Sequence, residues 1–359
     1  MRTYVYTSIT ANYIPKARVL AQTLKQHNPS FTFVVFMTES VPPHVRDIEP
    51  CFDEVIPIAD LEIERLPQWL FSHSVVEACT AIKGYALCSL LERPDCGEVF
   101  YLDPDIAVFD SLDELLAMFS AGSVLLTPHL LAPETTRATI EENEICSLQH
   151  GVYNLGFLGV RNDANGKRFA RWWRDRLALY CYAEVSQGLF TDQKWMNLAP
   201  ALFPFVHTIR DPGYNVATWN LSTRTLIGGF STGFKVLVEE ELGPGDSTVL
   251  EYPLRFYHFS GFDSGAQLAQ LRRYGRGMPA AFLLRNWYIA ECNKNIQEIY
   301  GSLSWEYSCY QNGQEITTEQ RRLFRERADL QACFVDPFLT EQKGKNYYDW
   351  YFTHGINGG

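Results

Sequence analysis

Hydrophobic positions in this chain fall into short β-rich runs separated by longer segments of helical spacing. Residues 3–8 form the first run, and the segment near 15–27 predicts a helix that Asn28-Pro29 ends. Phe31 to Met37 predicts a second strand, and Val55-Ile56-Pro57-Ile58 a third. Between about 74 and 92, Val75, Val76, Cys79, Ile82, Ala86 and Leu90 mark a helix. Val99-Phe100-Tyr101-Leu102 follows without polar alternation, as a buried strand of a mostly parallel sheet does. Strands alternating with helices in this way imply βαβ units with right-handed crossovers.

Beyond residue 105 the pattern changes. Ser123 to Thr127 and Val152 to Val160 predict strands, and residues 166–182 a helix with Phe169, Trp172, Trp173, Leu177 and Tyr180 on one side. Lys167, Arg168, Arg171, Arg174 and Arg176 make that helix basic. The plain reading is an amphipathic helix with a solvated charged face; the sharper one is a peripheral membrane contact. Gly228-Gly229, Gly233 and Gly243-Pro244-Gly245 mark a loop or hairpin region, and Leu254 to Phe259 reads as a last strand. From about residue 265 the chain is mainly helical, with aromatics at Trp287, Tyr288, Tyr300 and Trp305. The expected division is an α/β domain over 1–264 and a mainly helical C-terminal extension over 265–359.

Composition narrows the function. A chain of 359 residues that is 46% hydrophobic carries a sizeable core. A formal net charge of -11 argues against general nucleic-acid binding, which needs a basic footprint. No apolar run reaches the roughly 20 residues that span a bilayer. The N-terminus lacks the apolar core and cleavage site of a signal peptide and reads as the first strand. Nine scattered cysteines without a Cys-x-x-Cys pair fit a reduced, cytoplasmic protein with buried thiols.

Four clusters carry candidate chemistry. Asp103-Pro104-Asp105 follows the buried strand, where ligands of open α/β sheets bind. Extended backbone points both carboxylates the same way, and the pair suits a hard divalent cation with positions open for diphosphate oxygens. Tyr257-His258-Phe259-Ser260-Gly261 offers an imidazole that completes this set, unless His258 is a core histidine satisfied by a carbonyl. Mixed oxygen and nitrogen ligation suits Mn²⁺, with Mg²⁺ as the alternative, and Gly261 lets backbone approach a phosphate. Asp192 and Gln193 read either as a helix start or as groups beside a reacting sugar carbon. Asn154, within Tyr153-Asn154-Leu155-Gly156-Phe157, suits sugar hydroxyls or a turn between strands.

Together these clusters resemble the glycosyltransferases of the GT-A fold, especially the retaining family 8 type. The matching elements are Thr7 and Ser8, Lys83, Tyr101-Leu102-Asp103-Pro104-Asp105, Asn154-x-Gly156, Asp192-Gln193 and His258-Phe259-x-Gly261, over roughly residues 1–262. The chain from Tyr101 to Asp211-Pro212-Gly213-Tyr214-Asn215-Val216 is also similar to a glycosyltransferase domain of bacterial surface-polysaccharide enzymes. The resemblance implies that Asp103, Asp105 and His258 ligate Mn²⁺ and that Thr7, Ser8 and Asn12 lie near the nucleoside. It further implies that Lys83 touches phosphate or donor sugar, and that Asn154, Gly156, Asp192 and Gln193 line the sugar and the reaction centre. Two departures stand out. The diphosphate-binding Lys that commonly follows the histidine motif is absent from Gly261-Phe262-Asp263-Ser264-Gly265, leaving Arg272, Arg273 or Arg276 as substitutes. His129 stands where a carboxylate for the donor sugar is often found.

The expected activity is transfer of a sugar from a UDP-linked donor, with retention, to a glycan or glycolipid acceptor in surface-polysaccharide synthesis. The setting is cytoplasmic, at the inner membrane face in the sharper reading of the basic helix, with the domain either alone or part of a longer multidomain glycosyltransferase. The competing readings are a nucleotidyltransferase that makes a nucleotide sugar, and a non-catalytic carbohydrate-binding domain. The first needs a Gly-rich, basic N-terminal phosphate loop, which Thr7-Ser8-Ile9-Thr10-Ala11-Asn12 is not.

Overall fold

The structure, a computed structural model, describes residues 1–42, 51–243 and 246–355. Its centre is a seven-stranded sheet in the order β3-β2-β1-β4-β7-β6-β8. The strands are β1 (Arg2–Ile9), β2 (Thr32–Met37), β3 (Glu54–Pro57), β4 (Cys96–Leu102), β6 (Val124–Pro128), β7 (Tyr153–Arg161) and β8 (Val206–Thr208), with β5 (Ile106–Val108) set apart from the sheet. Only β7 runs antiparallel to its neighbours, β4 and β6; the other pairings are parallel. This is a mixed sheet with the mostly parallel core that the alternation of strands and helices implied.

Alternation along the strands builds a core on each face of the sheet. Tyr4 and Tyr6 of β1, Val34 and Phe36 of β2, and Val99 and Tyr101 of β4 face one way. They pack against helices α2 (Val75–Leu91) and α3 (Ala164–Tyr180). Val5, Phe33, Val35, Phe100 and Leu102 face the other way, against α1 (Ile14–His27). A Cβ at Gly84 would come within 2.6 Å of Arg174 Cα, so glycine lets α2 and α3 pack backbone to backbone. Ser74 and Glu77 form a capping box that fixes the start of α2. On α3, Phe169, Trp173 and Leu177 are buried, while Lys167 pairs with Glu92 and Arg174 with Asp175. Those pairs fit the plain amphipathic reading of this helix.

The glycine-punctuated region is a three-stranded antiparallel sheet of β9 (Thr225–Gly229), β10 (Gly233–Gly243) and β11 (Asp246–Pro253); Pro244 and Gly245 lie outside the described residues. The strand expected over 254–259 shortens to β12 (Phe256–His258), which pairs with β5 instead of the large sheet. β8 carries no apolar alternation and was not legible in the sequence. Helices α4 (Ala266–Tyr274) and α5 (Pro279–Lys294) pack on this second sheet, with Phe259 stacked on Tyr288 at 3.9 Å. Residues after 300 gather around Phe71 through Tyr310, Phe324 and Tyr347. Among the described residues no helix is long and apolar enough to cross a membrane.

Candidate active site

β4 ends at Leu102, and the chain turns through Asp103-Pro104-Asp105 before β5 begins. The antiparallel register of β12 on β5 sets His258 opposite Ile106, and Phe259 N donates to the Asp105 carbonyl at 2.8 Å. His258 Nε2 therefore stands 3.1 Å from Asp105 Oδ1 and 3.7 Å from Asp103 Oδ2. One ligand atom from each of the three residues lies within 4.8 Å of the others. The imidazole is buried, while Asp103 and Asp105 keep 25% and 18% exposure, so the cluster opens toward solvent on its carboxylate side.

Charge supports this geometry. Burial acts against a charged His258, but Asp105 outweighs burial and raises its pKa. Burial likewise pushes Asp105 up, and His258 brings it below its usual value. A divalent cation bound by these groups would take over the role of the imidazolium proton between the carboxylates. Two carboxylates and one imidazole fit Mn²⁺ or Mg²⁺. The His258 ring rests on Gly156, where a Cβ would meet Cε1 at 2.5 Å and Nδ1 at 2.7 Å.

Lys83 joins the cluster to Asp192. Its Nζ lies 2.8 Å from Asp192 Oδ2 and 3.3 Å from Asp103 Oδ1, and donates to the Leu155 carbonyl at 3.2 Å. Tyr101 OH adds a 2.5 Å bond to Asp103 Oδ1. Burial lowers the Lys83 pKa less than Asp103 and Asp192 raise it, so the ammonium stays charged. Asp192 follows Thr191, whose φ of 44° puts a β-branched residue in the left-handed region. The Thr191 hydroxyl donates to Asp192 Oδ1 at 3.1 Å, and its N–H donates to the Tyr182 carbonyl. Asp192 caps no helix: the short helix Lys194–Asn197 starts after Gln193, and no side chain caps it.

The other candidates divide. Ser8, Asn12, Lys83, Asp103 and Asp105 line one cavity of about 400 Å³, together with Tyr13, Val76 and Cys79. Ser8 already donates to the Cys79 carbonyl at 2.7 Å. Thr7 is fully buried and does not line that cavity, because the strand period turns it away from Ser8. Asn154 accepts from Gly156 N and from Asn215 Nδ2 at 2.9 Å, and donates toward His129 Nε2 at 3.2 Å. Gln193 is tied to backbone, donating to the His150 carbonyl and accepting from Leu155 N. Gly261, at φ 69°, makes the left-handed turn that leads from His258 to Asp263. Arg273 pairs with Glu142, Arg276 donates to the Arg272 carbonyl, and Arg272 is exposed, so none of the three is tied to the carboxylate cluster.

Two contributors escaped the sequence reading as site residues. Asn215, at φ 52°, links Asn154 to Thr127 by amide hydrogen bonds. Trp219 stands edge-on to both His258 and His129, at 5.3 and 5.6 Å between ring centroids. The Tyr214-Asn215-Val216 motif was a signal for the first; a lone tryptophan gave none for the second.

Residues 4–168 match the sequence model of Glycosyl transferase family 8. Two proteins of Bacillus subtilis (strain 168) are similar over most of the chain. The uncharacterized protein YfnF is 26% identical over 267 residues, covering 71% of this chain and 80% of its own length. The uncharacterized protein YfnD is 24% identical over 268 residues, covering 73% and 79%. Among solved structures, the galactosyltransferase LgtC with donor and acceptor sugar analogs is 18% identical, covers 60% of this chain and 75% of its own, and gives a TM-score of 0.37. The family match contains Lys83, Asp103, Asp105, Asn154 and Gly156 and stops short of Asp192 and His258. The stretch that builds β1, α2, β4 and β7 is thus similar in sequence to the family 8 glycosyl transferases.

Proposed function

We propose that this protein is a metal-dependent retaining glycosyltransferase that moves a sugar from a UDP-linked donor to a glycan or glycolipid acceptor in bacterial surface-polysaccharide synthesis. The observation that carries the reading is the chain of contacts in which His258 joins Asp105 to Asp103 and Lys83 joins Asp103 to Asp192, with Asp103, Asp105 and Lys83 lining one cavity. Residues 1–264 form the catalytic unit in this reading, and 265–359 extend it.

Asp103, Asp105 and His258 hold Mn²⁺ or Mg²⁺, which when bound neutralises charge on the leaving diphosphate. Ser8 and Asn12 border the nucleoside, and Gly261 lets backbone pass close to phosphate. Lys83 fixes Asp103 and Asp192 relative to each other. In this reading Asp192, Gln193 and Asn154 belong to the donor-sugar end of the site, and the Asp192 carboxylate stabilises positive charge as the anomeric bond breaks. A nucleophilic role suits Asp192 poorly, because its carboxylate is pinned by Lys83 and Thr191. Retention then follows from attack on the leaving-group face. The anomeric carbon–oxygen bond to the diphosphate breaks, the acceptor oxygen bonds on the same face, and its proton passes to the departing diphosphate oxygen.

A screen of nucleotide sugars for Mn²⁺-dependent donor hydrolysis, repeated on Asp105→Ala, tests this. The expected outcome is release of one nucleoside diphosphate, reduced more than about 100-fold in the variant, beyond the cost of losing an outer-shell metal partner. Silence with every donor, together with no rise in melting temperature from UDP plus Mn²⁺, would remove the reading. Nucleotide binding without turnover would favour the carbohydrate-binding alternative.

A further inference from the structure

A second buried ammonium stands behind the wall of the same cavity, against the Tyr13 ring that lines it. Lys16 stands in the first turn of α1, its Nζ 2.7 Å from Asp263 Oδ2 and 3.5 Å from the centroid of the Tyr13 ring. Its side chain is 3% exposed, whereas that of Asp263 is 51% exposed. Burial acts against the charge on Lys16, but Tyr13, Asp263 and Asp105 hold its pKa above the ordinary value. Its field in turn helps to lower Asp105. Lys16 is thus a desolvated cation packed on Tyr13 and paired with an exposed aspartate.

The two lysines differ in what they have left to give. Lys83 is balanced by two carboxylates and a carbonyl, with Asp192 buried beside it. Lys16 is balanced by one exposed carboxylate, on a turn bounded by Gly261 at φ 69° and Gly265 at φ 82°. Asp103 and Asp105 together cancel one divalent cation. A diphosphate bound to that cation brings negative charge that the cluster leaves uncompensated, and a partly buried anion needs a partner. Lys16 would supply one if Asp263 turned into water.

We propose that Lys16 is the diphosphate-binding cation of the donor site, and that Asp263 holds its place until the donor displaces it. The proposal rests on the donor-site reading above and assigns to α1 a role expected from the segment after His258, where Asp263 and Ser264 offer no cation.

Titration calorimetry of the whole chain with Mn²⁺ and three probes tests it: UDP, uridine and inorganic pyrophosphate. Lys16→Gln is expected to weaken UDP and pyrophosphate at least about tenfold, the worth of one charged hydrogen bond, and to leave uridine unchanged. Lys16→Arg should recover most of the loss. Asp263→Asn should tighten pyrophosphate a few-fold, the opposite of what damage to the turn would do. If wild type binds UDP and pyrophosphate and Lys16→Gln binds them equally well, Lys16 is not the diphosphate cation, while the donor reading stands. If wild type binds neither, the donor reading fails and takes this assignment with it. Should Lys16→Gln not fold, Asp263→Asn decides: unchanged or weaker pyrophosphate binding overturns the proposal.

Discussion

The cavity wall and the seam where residues after 300 pack around Phe71 both bury cations, yet they satisfy them in opposite ways. Near the wall, Lys83 and Lys16 are held by carboxylates, of which Asp103 and Asp263 keep exposed surface and Asp192 is buried. At the seam, Arg321 donates to the carbonyls of Leu70, Phe71, His73 and Tyr307, and burial lowers its pKa to about 10. His73 beside it is kept neutral, its pKa lowered by burial to about 4, with Nδ1 donating to the Trp69 carbonyl. Carbonyls cannot change charge or leave, so the seam is a fixed joint. Carboxylates can trade one cation for another, which the proposed metal and diphosphate site would require. The partner of a buried cation, more than its burial, separates a working site from a structural one.

The largest expected effect comes from breaking the wall at its centre. Lys83→Met leaves Asp103 and Asp192 facing each other without a cation, so unfolding free energy should fall by about 3–5 kcal/mol. Denaturant unfolding measures this, and donor turnover should vanish as well. An unchanged midpoint would mean the carboxylates are not coupled through this lysine.

Arg321→Met is the matched break at the seam. It strands backbone carbonyls that now have a donor, and should cost about 3 kcal/mol in the same experiment. UDP affinity in Mn²⁺ should stay at the wild-type value. A seam variant that lost nucleotide affinity would erase the contrast between the two regions.

Gly156→Ala probes geometry with little change in charge. The added Cβ would crowd the His258 ring and Asn154 Oδ1, the latter at 2.8 Å, so the imidazole must move off its place between the carboxylates. Mn²⁺ affinity by titration should drop about 10–100-fold, as when a ligand loses its orientation. Equal affinity would show that His258 is not a ligand.

The smallest effect is the pH response of the seam. His73 takes up a proton below about 6.5 when unfolded but resists until about 4 when folded. Unfolding therefore absorbs a proton in that window, and stability from this group is full above it and falls as pH drops through it. The melting temperature of His73→Gln should fall less between pH 7 and 5 than that of wild type. Parallel curves would contradict a neutral His73.

Much of the first half was legible because its signals are local. The apolar runs of β1 and β2 and the spacing of α2 placed those elements within a residue, and the run from Val99 found the end of β4, which begins earlier, at Cys96. Asp103 and Asp105 were readable because they are neighbours on one turn. β12 was overextended and β8 missed because both are three-residue strands set by pairing partners and not by their own pattern. Thr7 and Ser8 were taken together, although the strand period sends them to opposite faces.

By itself the sequence determined the alternation of strands and helices, the pair of carboxylates at the end of a buried strand, and the types of residue able to complete a metal site. Periodicity carries that information because it records which face each residue must bury. Only the tertiary structure decided the pairings. The register of β5 on β12 brought His258 to Asp105, and the turn after Gly261 brought Asp263 to Lys16, 247 positions away in the chain. A lysine near the start of an amphipathic helix reads as solvated surface. Its burial against Tyr13 and Asp263 comes from packing between distant segments, and Coulomb attraction acts on distance in space, to which sequence spacing is blind.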